Sequence, residues 1–151
     1  MGAATTRRPD DDPAFLAWAR GDGGWQPVHS AHVNSFIHSY TGIDATARRF
    51  RTWAGTVLAA LALGEVALFE TATEAKRNLK AAIASVAARL GNTPTICRKC
   101  YIHPEVVVAY LAGELAMEIA AEEGSEANAE IARLRPEEAA LLTLLRGRLK
   151  P

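Results

Sequence analysis

Cysteine is scarce in this 151-residue chain, which has only Cys97 and Cys100. No disulfide framework can hold it together, so its stability has to come from a packed core. Long apolar runs are missing too. The longest candidate, Val57 to Leu63, is closed by Gly64 and Glu65, well short of the roughly 18 to 20 residues of a membrane span, and no membrane partner is expected. The N-terminus has no apolar signal core, since Arg7 and Arg8 run into Pro9, Asp10, Asp11 and Asp12, which makes the cytoplasm the expected location. Met1-Gly2 with Thr6 fits a myristoylation pattern, but no basic cluster supports it. Net charge is absent as well, at 17 basic against 17 acidic residues. With 49% hydrophobic residues, that balance excludes a disordered chain and fits one ordinary domain.

The overall zero conceals an uneven distribution. Between Thr46 and Tyr101 nine bases face three acids, Glu65, Glu70 and Glu74, a local balance of +6 that the rest of the chain offsets with −6. A basic centre between acidic ends can meet a polyanion. A solvated helix face is the plainer explanation of the same charges, and the charges themselves do not separate the two.

Periodicity predicts a nearly all-α fold. Residues 1 to 21 read as irregular, with Ala14 to Arg20 able to form at most a short helix, and residues 22 to 151 as one helical domain. Ser30 reads as an N-cap, followed by Val33, Phe36, Ile37 and Tyr40 at helical spacing and a stop at Gly42. Asp44 or Thr46 can cap a second helix with an apolar stripe of Phe50, Trp53, Ala54, Val57, Leu58 and Leu61. Thr71 and Glu74 have capping-box spacing for a third, which ends at Gly91 and carries Lys76, Arg77 and Lys80 on its outer face. Thr93-Pro94 starts a short helix toward Tyr101, and His103-Pro104 ends it and opens the next. Further helices are expected over Glu114 to Gly124 and Pro136 to Leu149. No alternating strand pattern and no repeat is evident.

Three constellations could carry chemistry. Cys97-Arg98-Lys99-Cys100 has C-x-x-C spacing, but its nearest histidine pair, His29 and His32, lies more than sixty residues away, whereas a zinc finger's second ligand pair follows within about 20. No βαβ context for a redox dithiol exists either, so two reduced packing cysteines are expected and no metal. His32 and His38 fall mainly on the polar side of their helix, while His103 is placed to cap the helix that follows it or to touch an anionic ligand, with capping the plainer role. The third constellation is Arg51, Asn92 and Tyr101, with Arg98 and Lys99 alongside. A phenol with an ordinary pKa of about 10 is a poor nucleophile unless cations favour its phenolate, which Arg51, Arg98 and Lys99 can do. On spacing alone, packing or hydrogen bonding remains the ordinary role of such a tyrosine.

The wording of two segments adds what spacing cannot. Thr46-Ala-Arg-Arg-Phe-Arg-Thr-Trp-Ala-Gly-Thr56 resembles the KDFRTWAGT helix of bacterial type IB DNA topoisomerases. Leu90-Gly-Asn-Thr-Pro-Thr-Ile-Cys-Arg-Lys-Cys-Tyr-Ile-His-Pro104 resembles their LGNTPxVxRKSYIHP active-site segment. The similarity extends from about residue 22 to 149, and it implies the compact multi-helix catalytic subdomain that such topoisomerases share with tyrosine recombinases. It further implies an isomerase that nicks one strand of double-stranded DNA through a 3′-phosphotyrosyl bond, lets supercoils relax and reseals the strand with neither ATP nor metal. On this resemblance Tyr101 matches the nucleophile, Arg51 the second active-site arginine and Asn92 a further phosphate donor. Arg48, Arg49, Lys76, Arg77, Lys80, Arg98 and Lys99 are the expected DNA contacts, no cofactor is expected, and the protein would sit on the nucleoid. Tyrosine recombinases share the chemistry, but no His-x-x-Arg pair precedes Tyr101.

Departures from the pattern shape the remaining expectations. Arg48-Arg49 replaces the usual Lys-Asp, and Cys100 replaces the serine before the tyrosine. The family also uses a first arginine and a general-acid lysine, carried on an upstream helix and β-hairpin. Arg7 and Arg8 lie in no matching motif and no lysine precedes Lys76. The expectation is therefore a C-terminal catalytic portion whose upstream β-containing part is absent, with weak or no activity alone. It would be completed in trans by an upstream fragment, or survive as an inactive DNA-binding remnant.

Overall fold

The computed structural model describes residues 4–5, 16–21, 24–115 and 134–149. They group into two compact units, residues 1–50 and 51–151, which we describe separately.

The first unit holds a small antiparallel sheet of three strands in the order β1 (Ala4–Thr5), β2 (Ala17–Ala19) and β3 (Trp25–Pro27). Trp18 pairs with Gln26 and Ala19 with Trp25, and the Arg20 N–H donates to the Gly24 carbonyl at 2.7 Å. The segment expected as a short helix over Ala14 to Arg20 thus contains a strand instead. A stretch so short gains few intrahelical bonds, whereas cross-strand pairing satisfies its backbone on both sides. Helix α1 (Ser30–Thr41) follows, with His29 rather than Ser30 at the N-cap, its N–H donating to His32 Nδ1 at 3.1 Å. Gly42, at φ 71°, closes the helix in the left-handed conformation that glycine adopts without strain. The apolar stripe of α1 faces outward: no residue of the helix is buried, and Phe36 and Tyr40 are 66% and 82% exposed.

Helix α2 (Ala47–Gly64) is capped by Thr46, whose hydroxyl accepts from the Arg49 N–H at 3.4 Å. Its first turn groups with the first unit and the rest with the second. The buried face consists of Gly55, Thr56, Val57, Ala59, Ala60 and Leu63. That face is rotated from the expected stripe, of which Phe50, Ala54 and Leu61 are exposed. At Gly55 the rotated face admits neighbouring backbone that any Cβ would meet at 2.5 Å, while Val57 and Leu63 on the same face enter the core.

The second unit is built around α3 (Ala72–Leu90), α4 (Pro94–Cys100), α5 (Pro104–Leu111) and α6 (Pro136–Arg148). Their caps follow local chemistry. Thr71 accepts from the Glu74 N–H, Thr93 from Ile96 N–H ahead of Pro94, and His103 Nδ1 from Glu105 N–H ahead of Pro104. One core joins these helices to α2, with Leu63, Val86, Val106 and Leu141 nearly or completely buried. Burial of each such side chain contributes about 1.5–3 kcal/mol. Tyr110 is fully buried, its hydroxyl donating to the Val66 carbonyl and accepting from Asn78 Nδ2, both at 3.1 Å. Two side-chain links tie α6 down: Trp53 Nε1 donates to Glu138 at 3.0 Å, and Arg148 bridges Glu105 at 3.0 Å and also reaches Glu114. The helix expected over Glu114 to Gly124 lies outside the described residues except for Glu114 and Leu115, which are not helical. The described structure is mainly helical, as periodicity implied, and none of its helices is long and apolar enough to cross a membrane.

Candidate functional site

The site forms where the C-terminal end of α3, the α4 helix and the second turn of α2 meet inside the second unit. Helix α3 stops at Gly91, which sits at φ 63° and donates its N–H to the Ala87 and Ala88 carbonyls. The chain leaves this cap through Asn92, whose own N–H returns to Ala87 at 2.9 Å. One consequence is that the Leu90 carbonyl, among the last of the helix and without an intrahelical donor, is available to side chains. Asn92 Nδ2 donates to it at 3.0 Å, and so does an Nη of Arg51. Two of the three candidate residues therefore converge on one oxygen.

The third joins them through its ring. Tyr101 is the C-cap of α4 and is partly buried, with the Arg51 Cζ 5.2 Å from its ring centroid. That separation lies within the range of a cation–π contact. Arg51 is exposed apart from these two contacts. A guanidinium has five N–H donors in a rigid fork, and with one bound to Leu90 the others remain for an incoming anion. The amide and the guanidinium share one carbonyl and the guanidinium lies against the phenol ring, and no acidic side chain contacts them in the described bonds.

Beneath the site lies a contact that sequence reasoning passed over. An added Cβ at Gly55 would stand 2.5 Å from the Tyr101 carbonyl oxygen and 3.2 Å from Tyr101 Cβ. Only a glycine lets α2 and the Tyr101 backbone approach so closely. Next to it the Thr56 hydroxyl, 2% exposed, donates to the Thr52 carbonyl at 2.7 Å and accepts from the His103 N–H at 3.1 Å. The sequence signal was present in Ala54-Gly55-Thr56, a small residue beside a hydroxyl on what proves to be the buried face. Periodicity assigned that face to other residues.

The surrounding charges divide into two sets. Lys76, Arg77 and Lys80 on α3 and Arg98 and Lys99 on α4 are exposed, with Arg77 in a loose 3.7 Å pair with Glu74. Lys76 and Arg98 border one cleft of about 550 Å³, lined also by Phe69, Leu79 and Leu111. Arg48 and Arg49 belong to the first unit, where Arg49 donates to the Asp44 carbonyl at 2.8 Å. Cys97 is fully buried and Cys100 partly so, both as free thiols. Burial pushes the Cys97 thiol above its ordinary value, against the opposing pull of the Arg51 charge. Its place is therefore in the packing of α4.

Comparison with known proteins gives one result. Residues 19–130, more than half of the chain, match the family model described as the catalytic core of eukaryotic DNA topoisomerase I. No curated protein matches it.

Proposed function

Because the chain belongs to the eukaryotic-type DNA topoisomerase I catalytic-core family, and so to enzymes that act on DNA, we propose that Tyr101 is its nucleophile in a type IB reaction. The observation that carries the proposal is the convergence of Arg51 and Asn92 on the Leu90 carbonyl, with the Arg51 guanidinium also 5.2 Å from the Tyr101 ring centroid. The Tyr101 oxygen attacks the phosphorus of one strand, and the bond from phosphorus to the 5′ oxygen breaks. The strand's 3′ end is then held as a phosphotyrosyl ester, and a 5′-hydroxyl leaves with a proton. Attack of that hydroxyl on the ester reverses every step, so resealing needs neither ATP nor metal. Arg51 and Asn92 donate to the non-bridging oxygens as charge accumulates on them, and removing one such donor costs about 2.7–4 kcal/mol of barrier.

Expulsion of the 5′ oxygen calls for a proton donor. None of residues 1–75 is a lysine, and a missing general acid costs roughly 10² to 10⁴ in rate. We therefore read residues 22–151 as a catalytic domain of the bacterial type, with the acid supplied from outside the Arg51, Asn92 and Tyr101 set.

The test uses duplexes whose bridging 5′ oxygen is replaced by sulfur at successive steps, because a thiolate leaves without a proton. The wild-type chain should form a denaturant-stable covalent adduct with the sulfur duplexes, faster than with their oxygen counterparts, and Tyr101→Phe should form none. Failure with both, or an adduct that survives Tyr101→Phe, refutes the assignment. A supercoiled plasmid in parallel reports whether the chain relaxes DNA unaided.

The exposure of Lys76, Arg77, Lys80, Arg98 and Lys99 favours a second reading, a DNA-binding remnant without chemistry. Both readings use these side chains, together with Arg48 and Arg49, as phosphate contacts. Log affinity should then fall with log salt at about −0.9 per neutralised phosphate. The remnant reading stands if that slope appears while no sulfur duplex is ever cleaved.

A further inference from the structure

We infer that Thr56, seated beside Gly55, is a positioning residue that fixes the distance between the Arg51 guanidinium and the Tyr101 ring. The inference rests on the reading of Tyr101 as nucleophile, and it concerns residues that do not themselves meet the phosphate.

Arg51 and Thr56 lie on one rigid helix, a turn and a half apart, while Tyr101 lies at the junction between α4 and α5. What fixes the register between the two is a short run of polar contacts along the buried face of α2. The Thr56 hydroxyl oxygen accepts the His103 N–H at 3.1 Å and lies 3.4 Å from the Tyr101 carbonyl. Its proton is committed to the Thr52 carbonyl at 2.7 Å, which sets the direction of the remaining lone pair. One turn earlier the Thr52 hydroxyl reaches toward the Cys100 carbonyl at 3.4 Å. Cys100, Tyr101 and His103 of the nucleophile segment are thereby referenced to α2. Gly55 makes this possible, since any Cβ there would overlap the Tyr101 carbonyl at 2.5 Å. Backbone oxygen cannot give way as a flexible side-chain tip can, so a larger residue would drive the segment outward.

The consequence falls on the chemistry. Displacing a reacting group by about 1 Å can cost 10²-fold in rate even where the mutated residue touches no substrate. Thr56 is 2% exposed, so it acts through the Tyr101 segment alone.

Two readouts test the proposal. In the first, single-turnover adduct formation on a saturating sulfur duplex is compared across Thr56→Ser, Thr56→Val and Gly55→Ala, with DNA affinity measured alongside. Thr56→Ser keeps the hydroxyl and should stay within about threefold of wild type. Thr56→Val keeps the shape and should slow adduct formation roughly 10- to 100-fold, and Gly55→Ala by at least as much, with DNA affinity changed less than twofold in each. In the second, without DNA, the Arg51 Nε–H resonance is followed by NMR for the ring-current shift that Tyr101 imposes, calibrated by its loss in Tyr101→Leu. Thr56→Ser should retain this shift and Thr56→Val should lose it, with thermal melts confirming that each variant is folded. Should Thr56→Val keep the wild-type shift and rate, or lose rate only in proportion to DNA affinity, the positioning role is overturned. Should wild type form no adduct, the assignment of Tyr101 fails, and the resonance alone then decides whether Thr56 holds the pair together.

Discussion

Replacing Arg51 by alanine separates what this side chain does for the fold from what it does for the reaction. In the folded chain it makes two contacts, a hydrogen bond to the Leu90 carbonyl and a stack on the Tyr101 ring at 5.2 Å. An ordinary hydrogen bond contributes about 0.5–1.5 kcal/mol net, and an exposed cation–π contact about 0.5–1. The Leu90 carbonyl can turn to water once Arg51 is gone, and alanine is the better helix former, so about 1–2 kcal/mol of stability should be lost. Domains of this size typically have 5–15 kcal/mol in hand. The variant should therefore stay folded at 25 °C, with a modest drop in melting temperature. Catalysis is another matter: a donor aimed at the charge of the transition state is worth about 2.7–4 kcal/mol, or 10²–10³ in rate. Single-turnover adduct formation on a saturating sulfur duplex reads that loss directly. Arg51→Lys restores the charge without the planar fork and should recover no more than about tenfold. If Arg51→Ala reacts within about threefold of wild type while Tyr101→Phe is dead, the convergence on Leu90 has no catalytic meaning and the argument fails.

Three further outcomes check the structure around the site. The Arg135 hydrogen bond, opposed by burial and helped by the Trp53 indole, holds the Glu138 carboxyl below its ordinary value. The stability it lends α6 is accordingly present in full above the usual carboxylate range and is lost as pH falls from there through the lowered folded-state value. Glu138→Gln should melt below wild type at pH 7, with the gap narrowing as pH falls below the ordinary carboxylate range; a gap that does not shrink in acid contradicts the pairing. Iodoacetamide on the native chain should modify Cys100 well before Cys97, because burial both shields the Cys97 thiol and raises its pKa. Equal labelling by mass spectrometry would contradict its place in the core. Tyr110→Phe removes the bonds of the buried Tyr110 hydroxyl to the Val66 carbonyl and the Asn78 amide and should cost about 0.5–1.5 kcal/mol in urea unfolding. A loss under about 0.3 kcal/mol refutes that network.

Much of the fold was written in short local signals. Thr71 with Glu74, Thr93 with Pro94 and His103 with Pro104 each mark a helix start through a bond between near neighbours, and the structure has all three. Gly42 and Gly91 mark helix ends in the same way, through φ of 71° and 63° that few other residues adopt at little cost. Such features depend on three or four consecutive residues, so the chain alone determines them. The strand at Ala17–Ala19 was not legible, because its stability comes from Trp25–Pro27 and Ala4–Thr5 rather than from any pattern within it.

The candidate site divides along the same line. Residue type and wording singled out Arg51, Asn92 and Tyr101. The meeting of Arg51 and Asn92 at the Leu90 carbonyl, and of Arg51 with the Tyr101 ring, depends on where α3 stops and on how closely α2 packs against the Tyr101 backbone, a matter of contacts 39 to 48 residues apart. Helical spacing places Val33, Phe36 and Tyr40 on one face and Phe50 and Trp53 on another, yet it cannot say what covers a face. In the folded chain no residue of the α1 stripe is buried, and α2 packs through Gly55, Thr56, Val57, Ala59, Ala60 and Leu63. Local chemistry sets each helix and its ends. Which side of a helix is buried is decided only by the surface it meets, and at Gly55 that surface is the Tyr101 backbone, which no Cβ would let approach so closely.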